Sequence, residues 1–439
     1  MDELGILTDR SRIECWESCP RKRFLEYEWK GRGIQRANII PPAWELLTGI
    51  KVHEGIECIL LAIIAGEPWD SASIAAQAVM QYRTEIEPSL MTIEDEQSRS
   101  LLLWEADQQY DLVRALVIAW ATVSLPRYLQ NYRPITVEKE QLLTLEYNGQ
   151  KVTIMTRTDI LSQRLTDNGH VVHNLKTSSR PDNKWKQGFR YDQQVLMEAY
   201  VCEEDIKQQV GGVVIHGLAK GSKKEYPEGS GKWQHSSPLI YCWYRPGDPP
   251  MTEPEFHARY NYTCTEPHLV GKPNKAGVRK ECPGGVNHKL SGVYKERVES
   301  VYPGGIPAWI AYLWQVDPEL VREQMIELEP ISRSAYEIER WKRMVIQREV
   351  EISKHAQLTM EAITSDNPSA VNMLDYYFPM HTGHSNCLWP RPCQFLDCCW
   401  GTADPDDPDR FKPRIPNHYA EKVRHGLVQI EKGTNGSPI

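Results

Sequence analysis

The stretch VVHNLKTSSR, residues 171–180, carries two β-branched residues into a histidine and an asparagine, then breaks into a Lys-Thr-Ser-Ser run. It closes PITVEKEQLLTLEYNGQKVTIMTRTDILSQRLTDNGHVVHNLK, residues 134–176, where Asn-Gly pairs beginning at 148 and 168 separate three β-type runs. Asn-Gly between alternating apolar residues is a hairpin signal, so the segment predicts an antiparallel meander. Side chains alternate along a strand, which places Asn174 and Lys176 on one face and His173 on the other.

Outward from the meander, residues 9–30 predict one or two helices, 44–66 a helix with apolar residues at helical spacing, and 71–130 a charged helical region. Downstream, 191–210 returns to helical spacing and VGGVVIHGLAK, 210–220, predicts a short buried strand. Helices, three strands, a helix and a strand in this order suit an α/β fold with a mixed central sheet flanked by helices. Four regions are expected: a core over 1–220, a Gly/Pro-rich, loop-like insertion over 221–305, a helical, cysteine-bearing region over 306–401, and a polar, loosely ordered tail over 402–439.

At 439 residues and 41% hydrophobic content the chain can bury a sizeable core, and length suggests two or three compact units. MDELGILTDR lacks the marks of a secretory signal and ILLAIIAG, 59–66, is too short to span a bilayer, so a cytoplasmic protein without a membrane partner is expected. The net charge of −8 is not the footprint of a general nucleic-acid binder. Any basic surface is local: Arg21-Lys22-Arg23 with Lys30, Arg32 and Arg36; Lys184, Lys186 and Arg190; or Lys220, Lys223, Lys224 and Lys232, each of which also reads as ordinary solvated charge. Eleven cysteines in a chain expected to stay in a reducing compartment suggest metal or cluster ligation rather than disulfides.

Gly49, His53 and Glu57 are spaced by four, along one helix face, where a histidine can face a site or sit hydrogen-bonded in a packed interface. Asp159, in MTRTDILSQ, breaks a β pattern with an acid and can equally cap a turn. Two adjacent antiparallel strands would bring Asp159, Asn174 and Lys176 to one end of the sheet. Phosphodiester hydrolysis needs such a group: acidic oxygens for Mg²⁺ or Mn²⁺, a metal to lower the pKa of the attacking water, and a lysine to assist the water or offset developing charge.

His53 in GIKVHEGIE, Asp159 in TRTDI, the NLKTS strand and Gln193-Gln194 in YDQQVLMEAY follow the order of motifs in the PD-(D/E)XK nuclease superfamily, and the chain resembles its RecB-like branch over about residues 9–220. The resemblance implies a restriction-endonuclease-like core. It also implies His53 and Asp159 as metal ligands, Lys176 as the catalytic lysine, and Gln194, or Gln193 in its place, as an orienting residue. Asn174 stands where the family has the second, metal-binding acid. An amide offers one neutral oxygen in place of a charged carboxylate, so metal affinity and water activation should fall. Three outcomes follow: a weakened nuclease, one that recruits Glu138 or Glu140, or a fold kept for binding nucleic acid or a partner complex. If the rest of the site is intact, Asn174→Asp should raise cleavage.

In CLWPRPCQFLDCCW, 387–400, Cys387, Cys393 and Cys399 recur at C-x5-C-x5-C, with Cys398 as a rival to Cys399. The set resembles the late cysteines of AddB-type and CRISPR adaptation nucleases, which hold a [4Fe–4S] cluster with one early cysteine. Cys19 in CPRKRF resembles the early one, with Cys15 its local rival, and the wider spacing here departs from the family. The cluster would staple the two chain ends; a Zn²⁺ site is the alternative. Cys264, His268, Cys282 and His288 offer a further, weaker zinc pattern. The reading implied by the resemblance is a metal-dependent nuclease acting on DNA in recombination, repair or phage and mobile-element processing, with a helicase or recombination partner in prospect. A binding-only protein and a zinc-stabilised protein unrelated to nucleases are the rivals.

Overall fold

Asn148 and Gly149 turn at positive φ, 51° and 76°, as a tight hairpin requires. The structure, a computed structural model, describes residues 6–37, 44–225, 233–263, 268–270, 280–282, 287–289, 294–381, 383, 387–388 and 392–415. Its principal elements are β1 (Ile6–Asp9), α1 (Arg10–Ser18), α2 (Trp44–Ala65), α3 (Ser71–Met91), α4 (Glu96–Ala119), α5 (Leu125–Asn131), β2 (Tyr132–Tyr147), β3 (Gln150–Arg164), β4 (His170–Ser178), α6 (Gln193–Ile206), β5 (Val210–Ala219), α7 (Gly305–Val316), β6 (Met325–Glu327) and α8 (Ala335–Thr364). The meander β2–β3–β4 and its flanking helices form where the sequence predicts them.

These strands make a six-stranded mixed sheet flanked by helices. β2 runs antiparallel along one edge of β3; along the other, β1 pairs parallel with Val152–Met155 and β4 antiparallel with Ile160–Gln163. β4 pairs parallel with β5, with α6 crossing between them, and β6 adds antiparallel beyond β5. β1 and β6 were not legible in the sequence: ILTD and MIE are too short to show a period.

Val52, Ile56 and Ile59 of α2 pack with Tyr82 of α3, with Leu112, Leu116 and Val117 of α4, and with Ile160 and Leu175 of the sheet. Gly55 allows the helices this approach, because a Cβ there would meet Val117 Cγ2 at 2.7 Å. The span Glu96–Asn131 is long and apolar enough to cross a membrane, and most of it is buried in this core. A second core joins Leu145, Val152 and Ile154 to Met197 and Val201 of α6 and to Trp341, Val345 and Ile346 of α8.

Within 221–305, Leu239–Cys242 and Val298 reach the α2–α4 core, and Tyr241–Tyr244 pairs with Tyr294–Arg297. His268 and Cys282 are cross-strand partners, whereas Cys264 lies outside the described residues. At the C-terminal end Phe411–Pro413 pairs with Ile34–Arg36, and Phe411 is buried with Phe24, Phe378 and Phe395. Of the tail expected to be loosely ordered, residues 416–439 lie outside the described residues. Arg23, wholly buried, bridges Glu28 at 3.0 Å and Glu349 of α8 at 2.9 Å, tying the N-terminal segment to α8.

His173 points away from Asn174 and Lys176, into a pocket where its Nδ1 lies 2.9 Å from His216 Nε2 between Tyr128 and Tyr132. One ring donates and the other accepts, so the accepting ring is neutral. Burial lowers both pKa values, that of His216 from 6.5 to about 4. The folded state therefore binds fewer protons than the unfolded one between these values, and stability present above pH 6.5 is lost as pH falls towards 4. The His216 contribution amounts to about 3 kcal/mol. Urea midpoints across this window should show a steeper acid loss for the native protein than for His216→Gln; parallel curves would refute the assignment.

Candidate active site

The four-residue spacing in α2 brings His53 and Glu57 to the rim of a cavity of about 290 Å³, which is also lined by Glu138, Asp159, Lys176, Gln194 and Glu198. Asp159 Oδ2 accepts from the Leu175 N–H at 2.8 Å, which locks the acid of β3 onto β4, and it lies 3.9 Å from His53 Nδ1. Burial lowers the His53 pKa, with Asp159 pulling against it and Lys176 and Arg157 adding to it. The imidazole is therefore neutral near pH 7, the form that ligates metals.

Glu138 stands across from Asp159, between the register pairs Val137–Ile160 and Lys139–Thr158, at φ 48°. Left-handed backbone at a non-glycine residue in a strand costs about 1–3 kcal/mol and concentrates at functional sites. Here it accompanies a carboxylate that lies in the cavity and receives Arg157 Nε at 2.8 Å. Ligand atoms of His53, Glu138 and Asp159 all lie within 4.8 Å of one another. Of the two acids proposed from the sequence as replacements, Glu138 lines the cavity and Glu140 does not.

Asn174 does not line the cavity. It is buried behind Glu198, and its Nδ2 donates to both carboxylate oxygens at 2.8 Å. Gln194, one turn earlier on α6, donates its Nε2 to Glu198 Oε1. The helix thus brings the Glu198 carboxylate to the cavity wall in front of Asn174. Sequence reading missed Glu198, although its i, i+4 relation to Gln194 in QQVLMEAY was visible. Gln193 is turned outward to Glu17, which leaves Gln194 as the glutamine at the site. Asp192 caps α6, accepting from the Gln194 N–H at 2.7 Å.

Burial and the charge of Asp159 hold both Glu138 and Glu198 above the usual carboxylate range. Carboxylates this close resist simultaneous ionisation, and a divalent cation removes that conflict. The donor set fits one: several hard carboxylate oxygens with one imidazole suit Mg²⁺ and especially Mn²⁺. Among the described residues the buried Oδ1 of Asn174 and Oε1 of Gln194 have no hydrogen-bond partner, so acceptor capacity remains at and behind the wall.

A second cavity, about 190 Å³, is lined by Cys19, Cys387, Cys393 and Cys399 with Lys22 and His381. Cys15 and Cys398 lie outside its lining; the Cys15 Sγ turns to Glu26 at 3.9 Å. Burial pushes the thiols of Cys393 and Cys399 up, the latter to about 12, with nearby Arg21 opposing at Cys399. Metal ligation would require these thiols to release their protons.

No curated protein matches the chain. Among solved structures it is similar to the crystal structure of SSO0001, at 13% identity over 40% of this chain and 73% of that one, with a TM-score of 0.19. That overlap is too loose to bear on the site. The model of the PD-(D/E)XK nuclease superfamily matches residues 10–400, a range that takes in both cavities from Arg10 to Trp400, and the chain belongs to that superfamily.

Proposed function

We propose that the protein is a divalent-cation-dependent nuclease that hydrolyses phosphodiester bonds in DNA. The observation that carries this reading is the convergence of His53, Glu138, Asp159, Lys176 and Glu198 on one cavity. His53, Glu138 and Asp159 would hold Mg²⁺ or Mn²⁺, with Glu198 at the same wall. A bound cation supplies Lewis acidity and a water of lowered pKa. Lys176 places positive charge where the phosphoryl oxygens gain negative charge. Asn174 and Gln194 hold the Glu198 carboxylate in one orientation. Asn174 argues less for a binding-only protein once Glu198 restores the charge. The test is cleavage of end-labelled single- and double-stranded DNA with Mg²⁺ or Mn²⁺, beside EDTA controls; binding without cutting in either metal would overturn the reading.

Cys19, Cys387, Cys393 and Cys399 are proposed to hold a [4Fe–4S] cluster that ties the N-terminal segment to the C-terminal region. The observation that supports a shared centre is that these four cysteines line one cavity; a Zn²⁺ site would use the same four soft ligands. Anaerobically purified protein should be brown with about four irons per chain. Cys19→Ser should lose the iron and Cys15→Ser keep it. Colourless, zinc-containing protein would refute the cluster.

A further inference from the structure

A third cavity lies on the solvent side of α8, about 520 Å³ in volume and well apart in composition from the acidic site. The helix presents Tyr336, Arg340, Arg343 and Gln347 to it at i, i+4, i+7 and i+11, one face about 16 Å long. The opposite face of the helix is spent on the core through Trp341, Val345 and Ile346. Trp16 of α1 and Tyr147, at the tip of the β2–β3 hairpin, complete the aromatic lining. Tyr336 is 69% exposed, a large ring left in solvent, while Trp16 is braced edge-on by Phe378 at 5.9 Å. Among the described residues neither Arg340 nor Arg343 has an ion-pair partner, so two guanidinium charges are open on a chain whose net charge is −8. Glu351 is the acid in the lining; Glu17 is already bonded to Arg348 at 2.9 Å, and Glu339, whose carbonyl accepts from Arg343 Nε at 3.4 Å, pairs its carboxylate with Lys342 at 3.2 Å.

The groove is joined to the active site by α1. That helix begins with Arg10 and Ser11 in the acidic cavity and reaches Trp16 in the groove within two turns. Glu17 also receives Gln193, the residue that opens the helix bearing Gln194 and Glu198.

We propose that this groove binds single-stranded nucleic acid and leads the strand over α1 to the cleavage site. Unpaired arginines meet phosphates, and exposed aromatic rings meet bases, which only an unpaired strand offers freely. A duplex would present phosphates to the arginines but no base faces to Tyr336. The inference rests on the nuclease reading for the strand's destination, whereas the groove itself is tested without cleavage.

The experiment is fluorescence anisotropy with a labelled oligo(dT) strand in EDTA, repeated across salt concentrations. Arg340→Glu/Arg343→Glu should weaken binding at least about tenfold and make the slope of log K against log salt shallower by about 1.4, for two lost phosphate contacts on a single strand. Tyr336→Ala, which changes no charge, should weaken binding about fivefold or more through lost stacking. Lys354→Glu, on an exposed part of the same helix outside the groove, controls for general charge. Affinity within about twofold of wild type in both groove variants, or equal losses for a duplex of the same length, would overturn the proposal. Cleavage in Mn²⁺ is read separately on the same strand. Cutting with binding indifferent to the groove variants sinks the groove alone; groove-dependent binding without cutting sinks the nuclease reading alone.

Discussion

Lys176→Ala should lower the single-turnover rate of Mn²⁺-dependent DNA cleavage by about 10²–10³-fold or more, the scale of removing one preorganised group that meets transition-state charge. Two other cations line the cavity, and both have partners: Arg157 holds Glu138 at 2.8 Å and Arg10 holds Glu14 at 2.6 Å. Among the described residues Lys176 has no ion-pair partner, and it lines the cavity beside the acids it would serve. Lys176→Arg keeps the charge but changes its reach and donor geometry, so it should recover only part of the rate. DNA affinity in EDTA should change little, because the phosphate-binding charges lie elsewhere. A Lys176→Ala rate within about tenfold of wild type would remove this residue from the chemistry.

Asn174→Asp alone should fail to raise cleavage and should lower it, contrary to what the sequence suggests. Asn174 Nδ2 lies 2.8 Å from both oxygens of Glu198, in a site shut off from solvent. An aspartate there would set two carboxylates face to face, so that one must take up a proton or the pair must separate. Either outcome costs stability and disturbs the wall of the cation site. Glu198→Gln keeps the shape but removes the charge, and should cut the rate about tenfold or more together with Mn²⁺ affinity. The double variant Asn174→Asp/Glu198→Gln exchanges the two groups and should be more active than either single variant. Mn²⁺ titration of the rate for all four proteins decides the matter. A gain in Asn174→Asp, or additive losses in the double variant, would show that Glu198 does not stand in for the missing acid.

Much of this protein was legible along the chain. The two Asn-Gly turns, the alternation between them and the helical spacing of 44–66 are local signals, each encoded within a few residues, and they placed the meander and α2 correctly. His53, Asp159 and Lys176 were marked by the order of motifs in the family resemblance, and all three line one cavity, whereas periodicity alone left His53 and Asp159 open to purely structural roles. The cysteines were legible as a group, but the choice of Cys19 over Cys15 and Cys399 over Cys398 at the cavity was not.

What the tertiary structure decided lies wherever partners are far apart in sequence or backbone leaves its ordinary region. β1 and β6 exist as strands because Val152–Met155 and His216–Leu218 offer free edges to segments with no pattern of their own. Glu138 enters the site through a left-handed residue that no spacing rule foresees. The exchange of charge between Asn174 and Glu198 spans 24 residues and two elements, and the groove assembles α1, a hairpin tip and α8. Sequence by itself determined the meander and the helix that carry the candidate residues, because periodicity is a near-neighbour property. Packing determined which carboxylates line the cavity, because that depends on how a helix docks against a strand.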